Sequence, residues 1–267
     1  MSNKASRGCG VGKIKNDKVS PIKQKPWNTP GQSLQERLLD TVLDRVFLPF
    51  MLLLMFFGVF VTDLAYWVNQ SVPKPWLSGS ILVLALAVCV PIMLKTMRSA
   101  DNIKQGLQGE RAVGQFLERL RVNGAQVFHD IQGPNFNLDH VVIHESGVYV
   151  VETKTLAKRP SGKPEIHYDG AQVTLNGKPL ERDPVTQVKA ASYWLQELLK
   201  ESTGRDFPVR GVVLFPGWYI QNRVNRPTVW VLNPKALPTY LKNEATKLRS
   251  EEVFMASFHL SKFIRSN

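Results

Sequence analysis

The chain has 267 residues, 43% of them hydrophobic, and a formal net charge of +12. That length holds one sizeable domain plus accessory segments, and the basic excess favours anionic partners, either phosphate backbones or acidic lipid headgroups. Two cysteines, Cys9 in a polar tail and Cys89 in an apolar run, exclude a disulfide framework and a cysteine zinc site and point to a reducing compartment.

Residues 1–33, rich in Lys, Gly, Ser, Asn and Pro with almost no apolar periodicity, predict disorder. An amphipathic stretch over 34–46 follows. Together residues 1–45 read as a basic, mostly disordered cytoplasmic tail, with nine Lys and Arg against four Asp and Glu. That charge suits contact with anionic lipid as well as a topology signal. Residues 46–68 carry one charge, Asp63, and residues 76–94 carry none. Each run can cross a hydrocarbon core of roughly 30 Å as a helix, and the short linker between them demands a tight antiparallel hairpin over 46–94. Tyr66, Trp67 and Trp76 sit at the linker side, where an aromatic belt would lie. Asp63 lies about a turn from the span's end, where its side chain can snorkel to the interface. Basic residues flank the outer ends (Lys23, Lys25, Arg37 and Arg45; then Lys95, Arg98 and Lys104), whereas the linker has only Lys74. The positive-inside tendency then predicts an inner-membrane, multi-pass protein with both termini cytoplasmic.

From 95 to 267 the pattern is that of a soluble α/β domain. Residues 106–122 predict a helix with Val113, Phe116, Leu117 and Leu120 on one stripe. Strands are expected over 125–131, 138–144 and 148–154, the last two joined by a Glu-Ser-Gly turn at 145–147. A hairpin follows, with strands near 165–168 and 172–175, and Asn176-Gly177 as a turn. Pro184 opens a helix running to about 200 and stopping near Gly204. Buried strands over 209–215 and 228–232 and helices over 234–243 and 250–264 complete the reading.

Strand alternation puts Val148, Val150, Glu152 and Lys154 on one face, and Asp139, Val141 and Ile143 together on the preceding strand. The turn at 145–147 makes these strands antiparallel neighbours, so Asp139 at the start of one comes near Glu152 at the end of the other. Two carboxylates can hold Mg²⁺, and a lysine beside them can steady a water or the developing phosphorane charge. Glu110 shares the spacing of Val113, Leu117 and Leu120. It is therefore either an inward carboxylate needing a partner or metal, or a first-turn acid complementing the helix dipole; periodicity leaves both open. His140 and His144 are about 13 Å apart along a strand, too far to share an ion, and His129, His167 and His259 have no evident partner in the sequence. Arg223, Arg226 and the Lys158, Arg159 and Lys163 loop could track a nucleic-acid backbone, or simply be solvated loop charges. Trp218 and Tyr219 could stack on a base or pack in the core.

Four motifs in order then carry a resemblance. Gly109-Glu110 opening a helix, Asn137-Leu138-Asp139-His140 opening a strand, Gly147-Val148-Tyr149-Val150-Val151-Glu152-Thr153-Lys154, and Asp183-Pro184-Val185-Thr186-Gln187 opening a helix resemble the NERD (nuclease-related domain) family. That family is similar to the PD-(D/E)XK restriction-endonuclease-like superfamily. The resemblance covers about 104–216 and implies an α/β fold, a restriction-endonuclease-like mixed sheet flanked by helices, here preceded by the two-helix transmembrane hairpin. It implies Mg²⁺ (or Mn²⁺) held by Asp139, Glu152 and the backbone carbonyl of Thr153. Lys154 would act on the nucleophilic water, Glu110 would orient the metal or its water, and Gln187 would approach from its helix. In related nucleases with a Gln-x-x-x-Tyr helix motif a tyrosine falls four residues after the glutamine; here that place is Ala191, and the nearest tyrosine is Tyr193. The expectation is a membrane-anchored, metal-dependent nuclease hydrolysing nucleic-acid phosphodiesters, DNA rather than RNA, on the cytoplasmic side. The alternative is a catalytically inactive, membrane-tethered module that binds nucleic acid or a protein partner. Residues 233–267 read only as a helical extension.

Overall fold

The structure, a computed structural model, describes residues 27–69, 75–157 and 165–266. The tail with Cys9, Lys23 and Lys25, the linker with Lys74, and the Lys158, Arg159 and Lys163 loop lie outside the described residues.

Helix α1 (Gln32–Val42) runs through a π turn (Leu43–Phe47) into α2 (Leu48–Val68). The widened turn adjoins Pro49, which has no N–H to donate and whose ring crowds the turn before it. After the linker comes α3 (Pro75–Glu118), one continuous helix of 44 residues. The chain folds back on itself here: Trp67 meets Trp76 edge-on at 6.4 Å, the Phe60 ring lies over Gly79, and Leu34 approaches Gly106. The helices Gln32–Val68 and Pro75–Asn123 are each long and apolar enough to cross a membrane.

Two expectations differ from this. Helices at 76–94 and 106–122 are one helix, because the polar stretch between them contains no Pro or Gly before Gly106. The change in hydropathy marks a change of surroundings, with the helix continuing through it. And residues 27–33, read as part of a disordered tail, pack onto the folded domain: the Trp27 ring lies 5.3 Å from that of Phe128, and Asn28 Nδ2 donates to the Asp130 carbonyl at 2.7 Å.

The domain is a mixed α/β layer structure. Strands β1 (Gln126–Gln132), β2 (Asn137–His144) and β3 (Gly147–Thr153) form an antiparallel meander. On its far side β7 (Val209–Leu214) and then β9 (Trp230–Leu232) join in parallel, giving the order β1-β2-β3-β7-β9. A second sheet comprises β4 (Glu165–Tyr168), β5 (Val173–Leu175), β6 (Lys178–Pro179) and β8 (Tyr219–Asn222), with β8 parallel to β4. Strand β8 is absent from the sequence reading because its partner β4 lies far back in the chain and pairs in parallel, with no short turn to mark the pairing. Helices α4 (Pro184–Thr203), α5 (Leu237–Asn243) and α6 (Ser250–Ser266) complete the fold.

The main sheet is buried on both faces. Val141, Ile143, Val148 and Val150 pack with Val188 and Leu195 of α4 and Leu260 of α6. Val142, Tyr149 and Val151 pack with Val113 and Leu117 of α3 and Leu241 of α5. The alternation of the strands therefore sets which helix each side chain meets. Trp218 joins the first core, so its indole is packing, whereas Tyr219 beside it is exposed.

Candidate active site

The register of the β2–β3 hairpin pairs His140 with Val151 and Val141 with Val150. One step further along, Asp139 falls opposite Glu152. The Thr153 amide donates to Asp139 Oδ2 at 2.7 Å, closing the end of the hairpin onto that carboxylate. Parallel pairing with β7 continues past the strand end, where the Lys154 amide donates to the Leu214 carbonyl at 2.9 Å. The backbone carrying Glu152, Thr153 and Lys154 is thereby fixed from both sides. Lys154 Nζ reaches Glu152 Oε1 at 2.6 Å and donates to Gln187 Oε1 at 2.9 Å.

Gln187 comes from the first turn of α4, and its sequence explains why. Asp183 caps the helix, accepting from the Val185 and Thr186 amides at 3.1 Å each, and Pro184 takes the N1 position that needs no donor. Four residues on from Gln187, Ala191 is buried against the sheet, while Tyr193 is exposed. The position a tyrosine would take in a Gln-x-x-x-Tyr motif is here a core contact.

Glu110 arrives from α3, which covers the opposite face of the sheet, and meets the pair at the strand ends. Gly109 makes this approach possible: a Cβ there would lie 1.6 Å from Thr155 Oγ1. Only a glycine lets the helix lie against the chain leaving β3. Of the two readings of Glu110, the first-turn acid fails because α3 begins far upstream at Pro75. Its side chain is buried and shares a hydrogen bond with Asp139.

The electrostatics follow from three acids and one amine in a crevice. Desolvation, then repulsion from Asp130 and Glu152, pushes the Glu110 carboxyl up to about 7, against the opposing pull of Asp139's hydrogen bond and Lys154. The Asp139 carboxyl is driven well above the usual carboxylate range, first by desolvation and then by Glu152 and Glu110, with the Thr153 amide and Lys154 opposing.

Sequence reasoning missed two neighbours of this site. His129 pairs across the β1–β2 ladder with His140. Their Nδ1 atoms are 2.9 Å apart, and His129 Nε2 lies 2.8 Å from Glu118 Oε1. Burial pushes His140 well below the ordinary imidazole range, with His129 adding to it, so the pair is neutral and one ring donates to the other. Spacing along the strand sets His140 only against His144, whereas counting back across the hairpin from Gln132 and Asn137 leads to His129. Asp130 is the other, and no motif marks it.

Among the described residues, no group of three His, Cys, Asp or Glu side chains is arranged to hold a metal ion. A two-carboxylate oxygen site is still sufficient for Mg²⁺, which keeps several waters and uses one or two carboxylates. The donors here are all hard oxygens, which fits Mg²⁺ or Mn²⁺ and disfavours softer metals. Asp139, pressed by two like charges, is the group that a cation would relieve.

A model of one protein family, the nuclease-related domain (NERD), matches residues 105–216. No curated protein and no solved structure matches the chain. The matched stretch begins on α3 just before Glu110, takes in Asp139, Glu152, Lys154 and Gln187, and ends just after β7. Over residues 105–216, then, this chain is similar to the nuclease-related domain (NERD) family.

Proposed function

We propose that the protein is a membrane-anchored, metal-dependent nuclease with a restriction-endonuclease-like core, hydrolysing phosphodiester bonds of nucleic acid, DNA in preference to RNA, on the cytoplasmic side. The observation that carries this reading is the convergence of Glu110, Asp139, Glu152, Lys154 and Gln187, from four separate elements, α3, β2, β3 and α4, at one end of the central strands.

Asp139, Glu152 and the Thr153 carbonyl would hold Mg²⁺ or Mn²⁺. Bound there, the ion would polarise a phosphoryl oxygen and lower the pKa of a water. The chain's own residues do the rest. Lys154, held by Glu152 and Gln187, keeps its ammonium at the site, where it can donate to a water or to the charge that develops on phosphorus. Gln187, accepting from Nζ, sets the direction of that ammonium. Glu110, with its carboxyl near neutrality, holds a proton on a carboxyl oxygen in part of the population and can accept one in the rest.

The two apolar helices would form the anchor, with both termini in the cytoplasm as the flanking basic residues suggest. Because α3 is unbroken, Glu110 would stand about 24 Å of helix beyond Leu94, at about 1.5 Å per residue. Cleavage would then be confined to nucleic acid arriving at the membrane.

The test is the full chain in lipid nanodiscs with linear, circular and single-stranded DNA and RNA, plus Mg²⁺ or Mn²⁺. Cleavage is expected, and Lys154→Ala should lower it about 10²–10³-fold, the loss typical of removing one charge-stabilising donor. Binding without cleavage, unaltered by chelator, would instead identify an inactive nucleic-acid-binding module.

A further inference from the structure

Helix α1 begins without a cap of its own. Its N-cap is Gly31, which has no side chain to accept the first free amides, and its first turn contains no acid. Asp130, in β1, takes that part from far along the chain. Its Oδ2 accepts from the Ser33 amide and its Oδ1 from the Ser33 hydroxyl, both at 2.6 Å, and its carbonyl accepts from Asn28 Nδ2 at 2.7 Å. Asp130 does this from a left-handed backbone conformation, φ 49°, which a non-glycine residue adopts only under constraint. The ladder pairs His129 with His140 and Ile131 with Leu138, so Asp130 lies opposite Asp139, which in turn lies opposite Glu152.

The strap leading into α1 is seated flush on the wall that holds Glu110. The guanidinium groups of Arg121 and Arg265 sit over the Trp27 ring at 5.8 and 5.7 Å. Pro30 fills the space beside Gly114, where a Cβ would come within 2.4 Å of its Cγ. A Cβ on Gly31 would meet Leu107 Cδ1 at 2.5 Å and Glu110 Oε2 at 3.1 Å. Glu110 therefore has Asp139 on one side and the strap on the other.

We propose that Asp130 is a positioning residue: by capping α1 in trans it clamps the strap over Glu110, so the site is complete only with the segment preceding the first apolar helix docked. Both Asp130 oxygens are taken by Ser33, so its charge reaches Glu110 only across space, and it holds the strap through the clamp without touching substrate or metal. The clamp stands on geometry alone, while its consequence for the site rests on the nuclease reading above.

The experiment uses the full chain in nanodiscs with two readouts: hydrogen–deuterium exchange over 32–36 and 107–114, and Mn²⁺ binding followed by electron paramagnetic resonance. Asp130→Ala should speed exchange in both segments about five- to tenfold, the scale of a lost cap, and weaken Mn²⁺ binding by a similar factor. Asp130→Asn should stay near the wild type, since the amide oxygen still accepts from the Ser33 N–H. Gly31→Val, which leaves β1 untouched but cannot seat the strap, should reproduce the alanine result. Equal damage from Asp130→Asn would overturn the proposal in favour of a charge acting directly in the site. Unchanged exchange over 107–114 in both Asp130→Ala and Gly31→Val would overturn it as well. Failure of the wild type to bind Mn²⁺ would sink the metal site instead, and the exchange data would still decide the clamp.

Discussion

The two ends of α3 share one helix and obey different rules. Between Pro75 and Leu94 its apolar side chains point in every direction, and Leu77, Val83, Leu84 and Leu94 are all exposed. From Leu107 onward one stripe, Leu107, Glu110, Val113 and Leu117, is buried together with Gly109 and Gly114, while Gln108, Arg111, Ala112 and Gln115 face solvent. A helix that is hydrophobic all round calls for a membrane or a further apolar protein surface, whereas a striped one finds a sheet. The same backbone thus reports two environments, and it ties them rigidly: whatever holds the first end also fixes where Glu110 stands.

A matched pair of truncations breaks or sharpens that contrast, and it carries the largest expected effect on stability. Leu117 is 0% exposed and Leu84 is 66% exposed. Leu117→Ala should destabilise the domain by about 2–5 kcal/mol, the range for a buried leucine, read as a lower denaturation midpoint in nanodiscs. Leu84→Ala should leave that midpoint unmoved. Equal effects would mean that the first end is packed against protein and is not bathed in lipid.

The second prediction uses the one ionisable member of the buried stripe. An unfolded glutamate releases its proton near 4.5, whereas folded Glu110 keeps it to about 7. Between those values the native state binds more protons than the unfolded one, so stability falls as pH rises and levels off above about 7. The gap corresponds to on the order of 3 kcal/mol at about 1.4 kcal/mol per unit. In metal-free protein, Glu110's own contribution to stability should decline from pH 4.5 to 7. The lowered His129, His140 and His144 give a rise in the same window, so the difference between wild type and Glu110→Gln isolates it. Glu110→Gln should flatten that decline and leave the protein more stable than wild type at pH 7.5. Asp139 shifts in the same direction and leaves a residual slope. A slope unchanged in Glu110→Gln would show that Glu110 is solvated and not held in the crevice.

How much of this was written in the sequence depends on the range of the interaction. Continuous apolar runs place β2 and β3 within a residue of their observed ends, because burial on both faces selects Val148, Val150 and Val151 by local pattern alone. The convergence of Asp139 and Glu152 followed, since a short turn fixes hairpin register. The strap did not: Trp27 and Pro30 stand in a polar stretch without periodicity, and their partners, Phe128 and Gly114, are far along the chain. Asp130 is invisible for the same reason, its role depending wholly on Ser33. The continuity of α3 is legible in principle, because no breaker separates residues 94 and 106, but the change in hydropathy there imitates a boundary.

The smallest expected effect separates the two ways this site receives its helical residues. Glu110 is delivered from deep within a helix, where both neighbouring turns hold it, while Gln187 rides on the first turn of α4 and depends on the Asp183 cap. Asp183→Ala leaves the Val185 and Thr186 amides without their acceptor, which should cost about 1 kcal/mol. The frayed turn would also let Gln187 drift from Lys154 Nζ, so cleavage should fall a few-fold. Asp183→Asn should restore both quantities, because asparagine caps nearly as well as aspartate. If the alanine variant lost stability but kept full cleavage, Lys154 would be held by Glu152 alone, and Gln187 would be a neighbour of the site and not a part of it.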